Sequence, residues 1–238
     1  MVRRGRPAKV DREKLAQTAA ELGITNLTLE QVASRLNVTL QTLYNHVRDR
    51  EELLTLAAEA LEKRHILPSD TGMNWIDWWR VSALSLKEFY DRTPGLASVL
   101  MTRRLLNVPP RLEPWEVGQV AAERFGFSPV MGHWANLALH EFVYSWCARR
   151  ENLAKVDRVN STPKVDITAS APRFSKAVLL ARSLPDDLRF KMNLEALLQG
   201  LSSFRNQKLE DLAKPPSAPR SSRLSTRRRK DEQDRVQR

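Results

Sequence analysis

The chain has 238 residues and 42% of them are hydrophobic, which is enough for one large domain or two smaller ones with a buried core. It contains no apolar run approaching the roughly 18 residues that cross a bilayer, and its start, MVRRGRPAKV, lacks the apolar stretch of a secretion signal. The single cysteine, Cys147, excludes an internal disulfide and a cysteine-based zinc site. We therefore expect a soluble cytoplasmic protein with no membrane partner, cofactor or bound metal.

The net charge of +11 is concentrated at the two ends of the chain. Residues 1–14 carry six Lys/Arg against two Asp/Glu, and residues 214–238 carry nine against three, so the residues between them are nearly neutral. A neutral body with cationic ends is typical of a folded module whose tails contact phosphate backbones, although tails that only confer solubility fit the same pattern. We predict a basic disordered arm over residues 1–10 and a basic disordered tail over residues 213–238.

Short helices are predicted at 11–22, 28–36 and 39–45, followed by a longer one at 50–65. Two short helices joined by a tight turn form a helix-turn-helix, so we assign residues 11–66 to such a domain. The residues predicted to cap or end these helices are Asp11, Gly23, Thr28, Asn37, Thr39 and Asp49, the last forming a capping box with Glu52.

Beyond residue 70 the composition changes, because all six tryptophans lie there. We place a domain boundary within 66–73 and a second domain over 73–212. No stretch alternates apolar and polar residues as strands do. The sequence therefore predicts an all-α fold, in which a three-helix helix-turn-helix domain precedes a larger helical ligand-binding and dimerisation domain. Its helices are predicted at 74–92, 96–106, 114–125, 129–151, 173–183 and 186–211, with a loop over 153–172.

The third predicted helix concentrates polar and aromatic side chains. As the second helix of the motif it would direct Leu43 and Val47 into the core. Amides, hydroxyls and methyl groups on the opposite side could pair with base edges in the major groove and with phosphates. A catalytic site would need a nucleophile beside a positioned base, and this segment has no such pair. The side chains left outside are Gln41, Thr42, Tyr44, Asn45 and His46.

The stretch LTLEQVASRLNVTLQTLYNHVRDREELL resembles the DNA-binding region of the TetR family of bacterial repressors. The similarity covers residues 11–60, and its most specific part is Leu43-Tyr44-x-His46 before an acidic, leucine-rich helix. The resemblance implies that Tyr44 and Arg50 hold phosphates. It also implies that the residues facing the bases are Leu40, Gln41, Thr42, Asn45 and His46.

Three further residues complete the candidate DNA-binding surface. Thr28 and Thr39 carry hydroxyls that could bond phosphates. The carboxylate of Glu30 could accept a hydrogen bond from the amino group of a cytosine, or it could only face solvent.

The predicted helix-turn-helix carries a small negative charge, because residues 15–64 hold five Lys/Arg against seven Asp/Glu. The basic arm must therefore supply the electrostatic attraction to DNA. Arg4-Gly5-Arg6-Pro7 resembles an AT-hook core, in which extended arginines lie in the narrow minor groove of A·T-rich DNA. We predict that Arg4 and Arg6 contact the minor groove beside each half-site, against the alternatives of a loose phosphate contact or no contact.

Two helices are candidates for dimerisation, 129–151 and 186–211, and the resemblance implies that they form a four-helix bundle across a two-fold axis. The later helix has a continuous apolar stripe, which could also be satisfied within one subunit. A two-fold dimer implies a palindromic operator. The stripe consists of Phe190, Leu194, Leu197, Leu198, Leu201 and Phe204.

The aromatic surplus of the second domain predicts a site for a small apolar or aromatic inducer, although each such residue singly fits a core position. His133 and His140, beside Glu141, could bind a metal-chelated ligand or make ordinary hydrogen bonds. The candidate ligand-binding residues are Trp75, Trp78, Trp79, Phe89, Trp115, His133, His140 and Tyr144.

These features together predict a homodimeric transcriptional repressor that a small-molecule inducer releases from double-stranded DNA. One alternative is an enzyme that uses a helix-turn-helix for docking, but no acid–base pair is evident in the second domain. Another is an architectural or constitutive DNA-binding protein without a ligand response, which the aromatic-rich second domain argues against.

Overall fold

A computed structural model describes residues 10–69, 72–103, 113–159 and 171–205. Within these ranges the chain is all-α, as predicted, and none of the helices is long and apolar enough to cross a membrane. The predicted basic tail and all but the last residue of the predicted arm lie outside the described residues. The helices are α1 Arg12–Leu22, α2 Leu29–Leu36, α3 Leu40–Tyr44, α4 Arg50–Glu62, α5 Trp75–Arg92, α6 Leu96–Arg103, α7 Glu113–Arg124, α8 Pro129–Val159, α9 Pro172–Ser183 and α10 Asp186–Phe204.

Local sequence signals fix the ends of the first three helices. Asp11, Thr28 and Thr39 each precede a helix and accept a hydrogen bond from the backbone N–H three residues later. Asn37 ends α2 in the left-handed conformation, with φ 54° and ψ 47°. These caps satisfy backbone groups that helix ends leave unpaired. The predicted helix-turn-helix is confirmed.

Helices α1 to α4 share one apolar core. α1 packs against α4 and α2, and α2 packs against α3. Leu43 is the one fully buried residue of α3, so the rest of that short helix is available at the surface. Truncating such a leucine to alanine typically costs about 2–5 kcal/mol, so Leu43 anchors the position of α3. The enclosed side chains at the centre include Leu15, Val32, Leu43 and Leu53.

The long helix α8 organises the second part of the chain, because α5, α6, α7 and α10 all pack against it. It extends to Val159, so the predicted loop over 153–172 is wrong for residues 153–159. The segment ENLAKVDRV contains no glycine or proline and continues as helix without an apolar periodicity. The parts of the predicted helices 96–106 and 186–211 beyond residues 103 and 205 fall outside the described ranges.

The turn between α5 and α6 contacts the turn between α1 and α2. Thr25 Oγ1 donates to the carbonyl of Pro94 at 3.1 Å. Gly95 has φ of 90°, and a Cβ placed on it would lie 3.1 Å from Ile24 Cγ2. Glycine is required here by both its backbone conformation and this close approach. α4 also packs against α6, so the helix-turn-helix part is attached to the second part at two places.

Glu151 of α8 fixes the start of α6. Its carboxylate accepts from the backbone N–H of Gly95 at 2.8 Å and of Ser98 at 3.1 Å, and also from the Ser98 hydroxyl. A carboxylate is favourable at a helix N-terminus because the unpaired N–H groups and the helix dipole are positive there. α8 therefore positions the turn that contacts the helix-turn-helix part.

Candidate functional site

The outer surface of α3 presents most of the side chains predicted to read DNA. Leu43 and Val47 are buried, as expected, while Tyr44 is 50% exposed. Gln41 and Asn45 are also exposed, whereas other members of the predicted set, Leu40, Thr42 and His46, are half-buried. The structure thus brings these residues together on one short helix and the turn that follows it. The major groove is wide enough to admit one helix.

The threonine hydroxyls of the candidate set already have local partners. Thr39 Oγ1 accepts from the backbone N–H of Thr42 at 3.2 Å and lies 3.0 Å from the Thr42 hydroxyl. Thr28 accepts from the N–H of Gln31 at 3.2 Å, and the Gln31 side chain accepts from the N–H of Thr28 at 3.0 Å. These threonines therefore define where α2 and α3 begin, and each retains hydroxyl capacity for a further bond.

An ion-pair network that the sequence did not predict braces the end of α3. Arg12 donates to the carbonyl of His46 at 2.6 Å and to Glu52 Oε1 at 2.5 Å. The other oxygen of Glu52 accepts from the backbone N–H of Arg48 at 2.9 Å and from its side chain at 3.2 Å. The hydrogen bond from the Arg48 backbone, followed by that from Arg12, lowers the pKa of Glu52 to about 2. Glu52 therefore stays ionised and fixes the turn after α3.

This geometry corrects the predicted capping box at the start of α4. Asp49 accepts from the backbone N–H of Glu52 at 2.8 Å, as expected of an N-cap. The Glu52 side chain, however, reaches the N–H of Arg48, one residue before the cap. Arg12 draws the carboxylate in that direction, and this contact spans 40 residues of sequence, so the local pattern could not show it.

Arg50, which the resemblance assigns to a phosphate, also has a structural contact. Its Nε donates to the carbonyl of Leu27 at 2.7 Å, which ties the start of α4 to the segment before α2. Its side chain is 47% exposed, so the guanidinium still presents N–H groups to solvent. Arg48, which the sequence interpretation did not select, is more accessible, with 85% of its side chain exposed.

Glu30 lies in the first turn of α2 and is exposed. A hydrogen bond from its own backbone N–H and one from Thr28 lower the pKa of its carboxyl, so Glu30 is ionised at neutral pH. Its negative charge is favourable at the helix N-terminus. Arg4 and Arg6, the predicted minor-groove residues, lie outside the described residues.

The predicted ligand-binding residues do not form one cluster. Trp75, Trp78 and Trp79 are buried on α5, and Trp75 and Trp79 contact Phe127 with ring centroids 5.5 and 5.1 Å away. Trp78 donates to the carbonyl of Pro68 at 3.2 Å. These tryptophans therefore pack in the core where α5 begins, and their role in ligand binding stays a prediction.

The remaining predicted ligand-binding residues lie in two other places. Trp115 of α7 stacks on His140 of α8 with ring centroids 4.7 Å apart and lies 6.3 Å from His133. Phe89 and Tyr144 both pack near Tyr90, at 5.5 and 6.4 Å.

The histidines of α8 do not combine with Glu141 into a metal site. Glu141 lines a groove on another side of α8, together with Phe142. In the described part of the chain no three His, Cys, Asp or Glu side chains are grouped so that they could hold a metal ion. Cys147 is buried as expected, and burial raises the pKa of its thiol to about 12.

The apolar stripe predicted for dimerisation on α10 is largely used within the subunit. Phe190 stacks on Phe142 of α8 with ring centroids 5.1 Å apart. Other apolar side chains of α8 and α10 remain accessible, with Trp134 and Met192 each 55% exposed and Leu188 43% exposed. The groove between these helices and α9 has a volume of about 800 Å³. The fully buried members of the stripe are Phe190, Leu194, Leu198 and Leu201.

No family model matches the chain. The tetracycline repressor protein class G of Vibrio anguillarum is 27% identical over 197 residues, which are 78% of this chain and 88% of the repressor. The apo crystal structure of ActR from Streptomyces coelicolor is similar with a TM-score of 0.69 at 21% identity, covering 84% of this chain and 100% of ActR. ActR in complex with actinorhodin gives a TM-score of 0.67 at 20% identity, with the same coverage.

An all-helical fold that presents a short surface helix from a helix-turn-helix defines a class of DNA-binding transcription regulators. Within that class, the chain resembles the TetR family, to which ActR belongs. Its fold is that of solved members, and its sequence resembles a tetracycline repressor over most of its length. The resemblance seen around Leu43-Tyr44-x-His46 is thereby confirmed.

Proposed function

We propose that the protein is a homodimeric repressor that binds a palindromic operator and is released by a small apolar or aromatic inducer. The observation that carries this proposal is the surface of α3, on which Gln41, Tyr44 and Asn45 are exposed. The helix is anchored from below by Leu43 and braced at its end by Arg12. A helix held this way can insert into the major groove without reorganising, so binding costs little conformational entropy.

The side chains of α3 divide into two roles. Asn45 carries an amide, which can form a bidentate pair with adenine, so it is proposed to select sequence. Tyr44 is proposed to bond a phosphate, which positions the helix but carries no sequence information. The exposed guanidinium of Arg48 is a further candidate for a phosphate contact, because it lies in the turn between α3 and α4.

The test is to recover the strongest genomic site by selection on DNA fragments and to measure affinities for that site and for single-base variants. Asn45→Ala should reduce discrimination at one base pair of each half-site by about 1–3 kcal/mol. Tyr44→Phe should weaken all sites by a similar factor and leave discrimination unchanged.

Asn152→Ala is the matched control. This asparagine is exposed near the end of α8 and does not line the groove beside Met192. Its removal should leave DNA binding unchanged. Failure of the unmodified protein to protect any palindromic site would refute the proposed function.

The proposed dimer uses the accessible faces of α8 and α10, since the stripe centred on Phe190 is buried within the subunit. Met192 lines the groove between α8 and α9, and it is 55% exposed. Met192→Glu should therefore dissociate the dimer in sedimentation experiments and weaken operator binding. Met101→Glu, on α6 and 47% exposed, is the control that should leave the dimer intact. A Met192→Glu protein that stays dimeric would exclude this surface.

Release by a ligand is proposed because the second part of the chain is rich in aromatic side chains and has the fold of ActR, which has been solved with actinorhodin bound. A ligand shifts DNA affinity only if it binds the DNA-competent and DNA-free arrangements unequally. The contact between the α5–α6 turn and the α1–α2 turn provides a physical connection through which such a difference can reach α3.

A further inference from the structure

A cavity of about 480 Å³ lies where the end of α5, the second half of α8 and the start of α10 meet. Its volume is in the range of sites that hold small molecules. None of the aromatic residues predicted to bind an inducer lines it, so the cavity is separate from that candidate site. The charged residues in its wall are Asp91, Arg149, Arg150, Glu151, Asp186 and Arg189.

The two aspartates of this cavity are already paired with cations. Asp91 accepts from Lys87 Nζ at 2.7 Å and from Arg150 Nη1 at 2.9 Å. Asp186 pairs with Arg150 at 3.0 Å and with Arg189 at 2.9 Å. A carboxylate that is held by two cations gains little from a further cation in a ligand. The aspartates therefore do not favour a cationic ligand.

Arg149 differs from the other charged residues of the cavity. Its guanidinium lies over the ring of Trp146, 5.0 Å from the centroid, and it pairs with no carboxylate of the described residues. The neighbouring carboxylate of Glu151 instead accepts from the backbone of Gly95 and Ser98. A cation–π contact uses the face of a guanidinium and leaves the N–H groups at its edge able to donate. The charge left without a partner of opposite sign is thus positive.

The rest of the wall is largely apolar. Pro94 and Cys147 contribute to it, Tyr90 presents an aromatic ring, and Leu153 is 49% exposed. The six charged side chains of the wall sum to zero, so a ligand with one negative charge meets less repulsion from the carboxylates than a doubly charged one. A ligand that matches both sides of the cavity carries one anionic group on a small apolar body.

We propose that this cavity binds a small organic monocarboxylate. Arg149 holds the carboxylate, since the planar guanidinium matches the two oxygens of that group. Tyr90 and Leu153 contact the apolar body. The site borders the α5–α6 turn through Pro94, and it needs neither DNA nor the proposed inducer, so its test is independent of the proposed function.

The test compares benzoate with benzamide, which has nearly the same size and shape but no charge. Calorimetry on the full chain measures both, with a dissociation constant for benzoate of about 1 mM expected for a molecule this small. Benzoate should bind at least about 5-fold more tightly than benzamide, because only benzoate forms a charge-assisted pair with Arg149.

Two variants test the wall of the cavity from different sides. Arg149→Gln should weaken benzoate binding by about 3–10-fold and leave benzamide binding unchanged, the effect being reduced by the exposure of this residue. Leu153→Glu places a negative charge in the wall and should also weaken benzoate binding. Arg173→Gln and Leu179→Glu are the matched controls, because both residues are exposed on α9 and line neither this cavity nor the groove beside Met192.

Cys147 provides a readout of where the ligand binds. It lines the cavity and is the only cysteine of the chain, so protein labelled with ¹³C-cysteine gives a single NMR signal. Benzoate should shift this signal with the same dissociation constant as in calorimetry, and Arg149→Gln should weaken both. An unshifted signal, equal binding of benzoate and benzamide, or no benzoate binding at about 10 mM would overturn the proposal. So would an Arg149→Gln protein that binds benzoate as well as the Arg173→Gln control.

Discussion

Replacing Gly95 by alanine tests whether the contact between the two turns stabilises the protein. The backbone N–H of Leu96 donates to the carbonyl of Thr93 at 3.1 Å, with Pro94 and Gly95 between them. Gly95 has φ of 90°, as expected for the third residue of a type II turn. An alanine there costs about 1–3 kcal/mol in backbone strain.

The close approach to the α1–α2 turn adds a second penalty. The new methyl group would lie 3.1 Å from Ile24 Cγ2 and 3.2 Å from Thr25 Oγ1, so these two side chains must shift by a few tenths of an ångström. The shift weakens the hydrogen bond from Thr25 to Pro94, a bond of a kind that contributes about 0.5–1.5 kcal/mol, and disturbs the packing of Ile24. We expect Gly95→Ala to lose about 1–2 kcal/mol beyond the backbone strain.

Gly126→Ala is the matched control, because Gly126 has φ of 87° and its Cβ would meet only the flexible end of Arg205 at 3.4 Å. Thermal unfolding followed by circular dichroism should give Gly95→Ala a melting temperature lower than that of the control by about 2–8 °C, since each kcal/mol shifts a domain of this size by about 2–4 °C. Equal melting temperatures for Gly95→Ala and Gly126→Ala would refute the conclusion that the contact between the two turns stabilises the protein.

Two further predictions concern the DNA-binding part. Because the pKa of Glu52 is about 2 in the folded protein, below its ordinary value of 4.5, the stability it provides is complete above pH 4.5 and is lost as the pH falls towards 2. Glu52→Gln should therefore lower the urea midpoint at pH 7 and differ less from the unmodified protein at lower pH; an exposed-residue control, Glu13→Gln, should show no such trend. Deleting residues 1–8 should weaken operator binding and flatten its salt dependence if Arg4 and Arg6 contact DNA; unchanged binding would exclude the proposed arm.

Local signals explain why the helix-turn-helix could be predicted from sequence. The caps at Thr28 and Thr39 and the turn at Asn37 are each encoded within a few residues. The brace formed by Arg12 and Glu52 could not be predicted in this way, because it joins residues 40 apart through side chains whose local context suggests other partners.

The second part of the chain shows a different limit of prediction from the sequence. Aromatic content predicted a ligand site that includes Trp75 and Trp78, and both residues are buried at the start of α5. Ser82 and Asn136 are buried without hydrogen-bond partners in the described structure, and their sequence context carries no signal of this.

The two attachments of the helix-turn-helix part have a mechanical consequence. One is the packing of α4 against α6, and the other is the contact of Ile24 and Thr25 with Pro94 and Gly95. If the helix-turn-helix part moves as a rigid body, these two attachments define an axis. The part can rotate about that axis but not in other directions. α3 would then travel along a single arc, and the distance between the two α3 helices of the proposed dimer would be governed by one angle.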